Sequence, residues 1–161
     1  MKIAQPTDWK TEALPPKRTT IILDRLFSRE EMEVIQRGLI PEEMEDKWFI
    51  YWKEENLFFH RSWTGFCIYI VHFVVENQGA RMVEADVNRD PEQYNETNNA
   101  IDVKMIDYLV DVLLLQKESI FPSDETSPGK RAIKNWSVVG RAMFGKDQPG
   151  GFTIIKKPKV K

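Results

Sequence analysis

The sequence is poor in the residues that announce a chemistry. It has one cysteine, Cys67, so no disulfide can close within the chain, and a reducing, cytoplasmic home is the expectation. Two histidines, His60 and His72, are too few for a histidine-rich metal site. There is no CxxC pair, HExxH, P-loop, GxGxxG or GxSxG, so neither a metal nor a cofactor is expected. No apolar run approaches the roughly 20 residues of a bilayer-spanning helix, and Met1 to Lys17 lacks the apolar core of a signal peptide. An excess of one charge is missing too. With 23 Lys and Arg against 25 Asp and Glu, the formal net charge is −2, which gives the molecule no reason to seek nucleic acid. The expected partner is therefore a small anionic ligand or a protein, with no specific nucleic acid and no membrane.

What is present suits a globular domain. The 161 residues are 42% hydrophobic and 30% charged, enough for one real core. Residues 1–17 read as an irregular arm ending in Pro15-Pro16, with Trp9 able to pin it to the body. Residues 18–155 read as a single domain. Thr19 to Leu23 predicts a short edge strand. Ser28 and Glu31 form a capping box, flanked by Phe27 and Met32 as a hydrophobic staple, so a helix should run to about Arg37 and stop at Gly38.

The centre is β-rich and aromatic. Ten of the 18 aromatic residues lie between Trp48 and Phe73. Trp48 to Lys53 predicts a strand, Glu54-Glu55-Asn56 a hairpin turn, and Leu57 to Arg61 the return. A longer strand over Phe66 to Val75 should turn at Glu76–Gly79 and come back over Arg81 to Asn88, with Arg81, Val83, Ala85 and Val87 on one face. Beyond the Asn88–Pro91 loop, Asn98 or Asn99 can cap a helix from Ala100 to about Leu115. Ile101, Met105, Ile106, Leu109, Val110, Leu113 and Leu114 make its apolar stripe, with Asp102, Asp107 and Asp111 on the other side. Residues 117–130 read as a mobile loop. Asn135 to Phe144 suits either a short strand or a helical turn, and 156–161 is a basic tail. The fold class that follows is α+β, an antiparallel four- to five-stranded meander packed by two helices.

The segment Phe58–Phe66 (FFHRSWTGF) holds the candidate site. Turns are usually built from Asn, Asp, Gly or Pro; this one carries His60, Arg61, Ser62, Trp63 and Thr64. Arginine's planar fork of donors fits phosphate or carboxylate, an indole can stack on a base or sugar, and hydroxyls and imidazole orient a ligand. The alternative is structural, an aromatic cluster with Arg61 paired to an acid of the run Glu42, Glu43, Glu45 and Asp46. Strand alternation sends His60 and Arg61 to opposite faces unless the strand ends or bulges there. Meander topology brings the 89–94 loop to the same sheet end, which adds Arg89 and Tyr94 as ligand-binding candidates. His72 and Cys67 read as buried strand residues, Cys67 on the face of Tyr69 and Phe73, and the acidic run as solvated.

The stretch MEDKWFIYW…LFFHRSWTGFCIYIV from Met44 to Val71, with VNRDPEQY from Val87 to Tyr94, resembles a small bacterial family. Its segments stand alone or lie beside, or joined to, ADP-ribosylglycohydrolase-like or macro-type domains. The resemblance covers roughly residues 20–115 and implies NAD or ADP-ribose metabolism. It carries over no catalytic residues. Three functions therefore stand: a binding domain for a phosphate-bearing ligand such as ADP-ribose or a nucleotide; a protein-interaction or immunity-type module using Trp48, Trp52 and Trp63; and a hydrolase with His60 as base, assisted by Glu43, Glu45 or Asp46.

Overall fold

A computed structural model describes residues 2–118. The expected loop beyond Glu118, the Asn135–Phe144 segment and the basic tail lie outside the described residues. The described residues divide into two compact units, one running to Ile40 and resuming over Trp48–Val103, the other of Pro41–Lys47 with the described residues from Lys104.

The first unit holds a five-stranded antiparallel sheet: β1 (Arg18–Ser28), β2 (Trp48–Lys53), β3 (Asn56–Arg61), β4 (Cys67–Glu76) and β5 (Gly79–Asn88). The spatial order is β1-β5-β4-β3-β2. Strands β2 to β5 are thus a meander, and β1 is an edge strand beside β5. It is longer than TTIIL alone suggests, because odd-numbered Ile21, Leu23 and Phe27 all turn inward over 11 residues.

Among the described residues, two α-helices join the sheet in an α+β fold, α1 (Arg29–Ile35) and α2 (Asn99–Leu109). At α1 the Ser28–Glu31 capping box makes both of its bonds, and Met32 and Ile35 are buried. Gly38 follows the helix with φ +70°. At α2 the cap is Asn98, whose Oδ1 accepts from the backbone N–H of Ala100 and Ile101 at 2.9 and 3.2 Å. The helix ends in a wider π-type turn over Val110–Leu114.

Two irregularities correct the simple alternation. Opposite His72 and Phe73, β5 skips from Glu84 to Met82. Val83 is the extra residue, so Met82 joins Ala85 and Val87 in the core and Arg81 faces outward. Between Phe59 and His60, β4 skips from Tyr69 to Cys67. That places Cys67 opposite His60 and out of phase with Tyr69. Its thiol pKa is pushed up to about 12, mainly by burial, with Arg18 opposing and Asp86 adding, so Cys67 is a core residue with no nucleophilic character.

The two faces differ in chemistry. One packs Ile21, Phe27, Ile50, Phe59, Tyr69, Val71 and Val87 into the core. On the other, Ala4 and Trp9 of the N-terminal arm and Ile40 beyond α1 pack against Phe49, Tyr51 and Phe58. Further along this face a polar chain crosses four strands. Thr20 donates to Asp86 at 2.8 Å, and His72 bridges Asp86 at 3.0 Å and Asn56 at 2.6 Å. His72 is accordingly half-buried and paired with Asp86, instead of sitting in the core.

The β2–β3 hairpin turns on Glu54 and Glu55, both at positive φ (54° and 66°). Two consecutive left-handed residues favour Asn-Gly, and glutamate is strained there. Replacing the pair by Asn-Gly should stabilise the protein by about 1 kcal/mol by relieving the left-handed backbone penalty, read as a higher denaturant midpoint at unchanged m-value. A lower midpoint would show the glutamates to be needed.

Candidate functional site

The turn between β3 and β4 is built as an anchor. The N–H of Gly65 donates to the Arg61 carbonyl at 2.8 Å, and the N–H of Arg61 to the Phe66 carbonyl at 2.9 Å. Gly65 has φ +82°, and its carbonyl accepts from the Glu12 N–H at 2.8 Å and from His60 Nδ1 at 2.9 Å. The Trp9 indole N–H donates to the Ser62 carbonyl at 2.7 Å. Trp9 pins the arm to the body, as its sequence position suggests.

The candidate residues separate onto two sides. Strand β3 keeps regular pairing with β2 through Phe49↔His60 and Trp48↔Arg61; the extra residue lies on β4, so alternation holds. His60 points into the aromatic cluster beneath the arm, 2% exposed, its ring 5.7 Å from Tyr51 and nearly parallel to it. Ser62 is buried. Thr64 accepts from the Phe66 N–H at 3.2 Å. Trp63 projects outward at 56% exposure.

Arg61 takes the opposite face, where Trp48, Tyr69 and Asp102 link it to Arg89 and Tyr94. Its guanidinium lies over the Trp48 ring, 4.9 Å from the centroid, and Trp48 stacks on Tyr69 at 6.3 Å. The Tyr69 hydroxyl meets Asp102 Oδ1 at 2.9 Å and the Tyr94 hydroxyl at 2.8 Å, and Tyr94 donates to the same Asp102 oxygen at 2.6 Å. Arg89 pairs with the other carboxylate oxygen and donates to Asn99 Oδ1 at 2.7 Å and the Asn88 carbonyl at 3.2 Å. Asn88 braces the loop, its Nδ2 donating to the Cys67 carbonyl at 2.8 Å and to Gln93 at 2.9 Å.

Electrostatics distinguish the two arginines. Arg89 is neutralised by Asp102, a fully buried carboxylate. Arg61 is half-buried, and among the described residues no carboxylate or hydrogen-bond acceptor engages its guanidinium. Burial pushes its pKa down, against the neighbouring tyrosines. Burial likewise raises the pKa of Tyr69 and Tyr94, with Asp102 adding to it, so both hydroxyls stay protonated as donors.

Asp102 and Tyr69 were missed from sequence. Asp102 reads with Asp107 and Asp111 as the polar side of its helix, yet it lies four residues before Ile106 and seven before Leu109, on the apolar stripe itself. A carboxylate in that row is the signal of a buried partner. The acidic run is also less solvated than expected, for Asp46 Oδ2 accepts from the backbone N–H of Glu42 and Glu43 at 2.9 and 3.1 Å, closing a turn.

His60 makes a testable acid-side contribution. Its Nδ1–H donates to Gly65, while Nε2 is buried without a partner among the described residues. Burial lowers its pKa below the ordinary 6.5, opposed by the Gly65 bond. As pH falls through 6.5, the unfolded chain gains a proton that the folded chain does not, so stability falls toward acid pH, by at most about 1.4 kcal/mol per unit. His60→Phe should lose less stability than wild type between pH 7.5 and 5.5 in urea titrations. Equal losses would refute this assignment.

No helix among the described residues is long and apolar enough to cross a membrane. Searches of protein-family models, curated proteins and solved structures found no match for this chain.

Proposed function

We propose that the Arg61 end of the sheet binds a small phosphate-bearing ligand. The observation that carries this is Arg61 itself: a half-buried cation, fixed over Trp48, whose donors meet no acceptor among the described residues. A guanidinium withdrawn from water and left unpaired is costly, and an oxyanion matching its planar fork removes that cost. Trp63, two residues on and exposed, supplies a stacking surface for a base or sugar. The resemblance to segments found beside ADP-ribosylglycohydrolase-like or macro-type domains makes ADP-ribose, NAD and simple nucleotides the first ligands to test.

Binding is favoured over catalysis. His60, the only base proposed for hydrolysis, is closed off beneath the arm on the other face. The exposure of Trp63 also favours a second reading as a protein-interaction surface, in which Trp48, 2% exposed, cannot take part as a surface hot spot.

A thermal-shift screen with ADP-ribose, NAD and mononucleotides separates the two. At 100 times Kd a true ligand stabilises by about 2.7 kcal/mol, several degrees for a chain of this size. Arg61→Met keeps a side chain over Trp48 and should abolish the shift. A flat screen, or a shift that survives in Arg61→Met, rejects the proposal and favours the interaction surface.

A further inference from the structure

The charges around Arg61 define more than an anion site. Trp48 from β2 and Tyr69 from β4 bring no charge. Arg89 at the end of β5 and Asp102 from α2 cancel each other. On the loop between them, Tyr94 also feels Glu96, whose carboxylate accepts from the backbone N–H of Thr97 and Asn98 at 3.1 Å each. Both tyrosine hydroxyls are held by Asp102 and by each other. Among the described residues around it, Arg61 therefore holds the positive charge not already matched, since Arg89 is spent on Asp102 and both tyrosine hydroxyls on that same carboxylate.

Resting on the proposed anion site, we infer that Arg61 selects an oxyanion carrying a single negative charge. The chemical class is an esterified phosphoryl group, as in a phosphodiester or the inner linkage of a diphosphate, or else a carboxylate. A doubly charged terminal phosphate is disfavoured. One of its charges meets Arg61, while the second enters a half-buried site where, among the described residues, the neighbouring cation Arg89 is already paired with Asp102. The planar fork matches two oxygens of either favoured group. A free phosphate monoester becomes acceptable only once it takes up a proton, near its second pKa of about 6.

The test uses three probes of one shape: phenyl phosphate, methyl phenyl phosphate and benzoate. Each is titrated into the full chain at pH 5.5 and pH 8, followed by the NMR resonance of the Arg61 Nε–H group and by calorimetry. The flanking tyrosines stay protonated over this interval, so a pH effect confined to phenyl phosphate reports the probe's own charge. Methyl phenyl phosphate or benzoate should bind with nearly equal affinity at both pH values, and which of the two binds identifies the source of the single charge. Phenyl phosphate should weaken on the order of tenfold at pH 8. Tighter binding of phenyl phosphate at pH 8 overturns the charge selection and leaves the anion site standing. Absence of any shift at the Arg61 resonance with all three probes overturns both. Arg61→Met must abolish every response; binding that persists in it lies elsewhere and also counts against the inference.

Discussion

Asp102→Ala is expected to cost about 3–5 kcal/mol of stability, because it breaks a buried ion pair from one side. The side chain is fully buried, and that of its partner Arg89 is 14% exposed. Two tyrosine hydroxyls converge on one carboxylate oxygen and the guanidinium takes the other. Alanine leaves the arginine charge and both hydroxyls without their acceptor at once. Asp102→Asn keeps the shape and one acceptor but not the charge, so an intermediate loss is expected. Removing both ends of the pair, as in Arg89→Met with Asp102→Leu, should recover a substantial part of the loss, since no orphaned charge remains. Urea unfolding of wild type, Arg89→Met, Asp102→Leu and the double variant forms the cycle. A loss below about 1 kcal/mol in Asp102→Ala would mean that the network is ornamental.

Gly38→Ala should destabilise by about 2–4 kcal/mol, combining a left-handed backbone penalty with steric overlap. With φ at +70°, the added methyl overlaps the Ile50 carbonyl oxygen and comes within 3.0 Å of the Ala4 side chain. That oxygen accepts the Leu39 N–H at 2.8 Å, half of the bridge between the end of the α1 segment and β2. Gly38→Asn separates the two causes. Asparagine tolerates the left-handed region but carries the same Cβ, so it should remain destabilised by most of that amount. A Gly38→Asn protein as stable as wild type would show that backbone conformation alone matters there.

The fold was largely legible because its signals are local. Ser28 with Glu31, Gly38 after the helix, and turn residues between apolar runs each act within a few residues, and each was realised. Two kinds of feature were not legible. The extra residues at Val83 and between Cys67 and Tyr69 come from how neighbouring strands twist and pair, and a strand's own sequence does not record its neighbour's register. Asp102 reads with Asp107 and Asp111 as the side opposite the apolar stripe, although its place in the row of Ile106 and Leu109 points inward, where it is buried. The meeting of Arg61, Arg89 and Tyr94 followed from topology, whereas the separation of His60 from Arg61 followed from alternation alone.

Among the described residues, strand β1 pairs only with β5, in a register running from Arg18↔Asn88 to Ser28↔Gly79. Of this sheet's strands, the first to be synthesised is thus the last to find its neighbour. On a ribosome its pairing waits about 60 residues after Ser28 is made, several seconds at ordinary elongation rates. The meander β2–β5 can close by short loops in the meantime, while Ile21, Ile22, Leu23 and Phe27 stay uncovered. Cellular yield should therefore respond to polar changes at outward-facing Ile22, which is 74% exposed once folded, even where the stability of the finished protein does not.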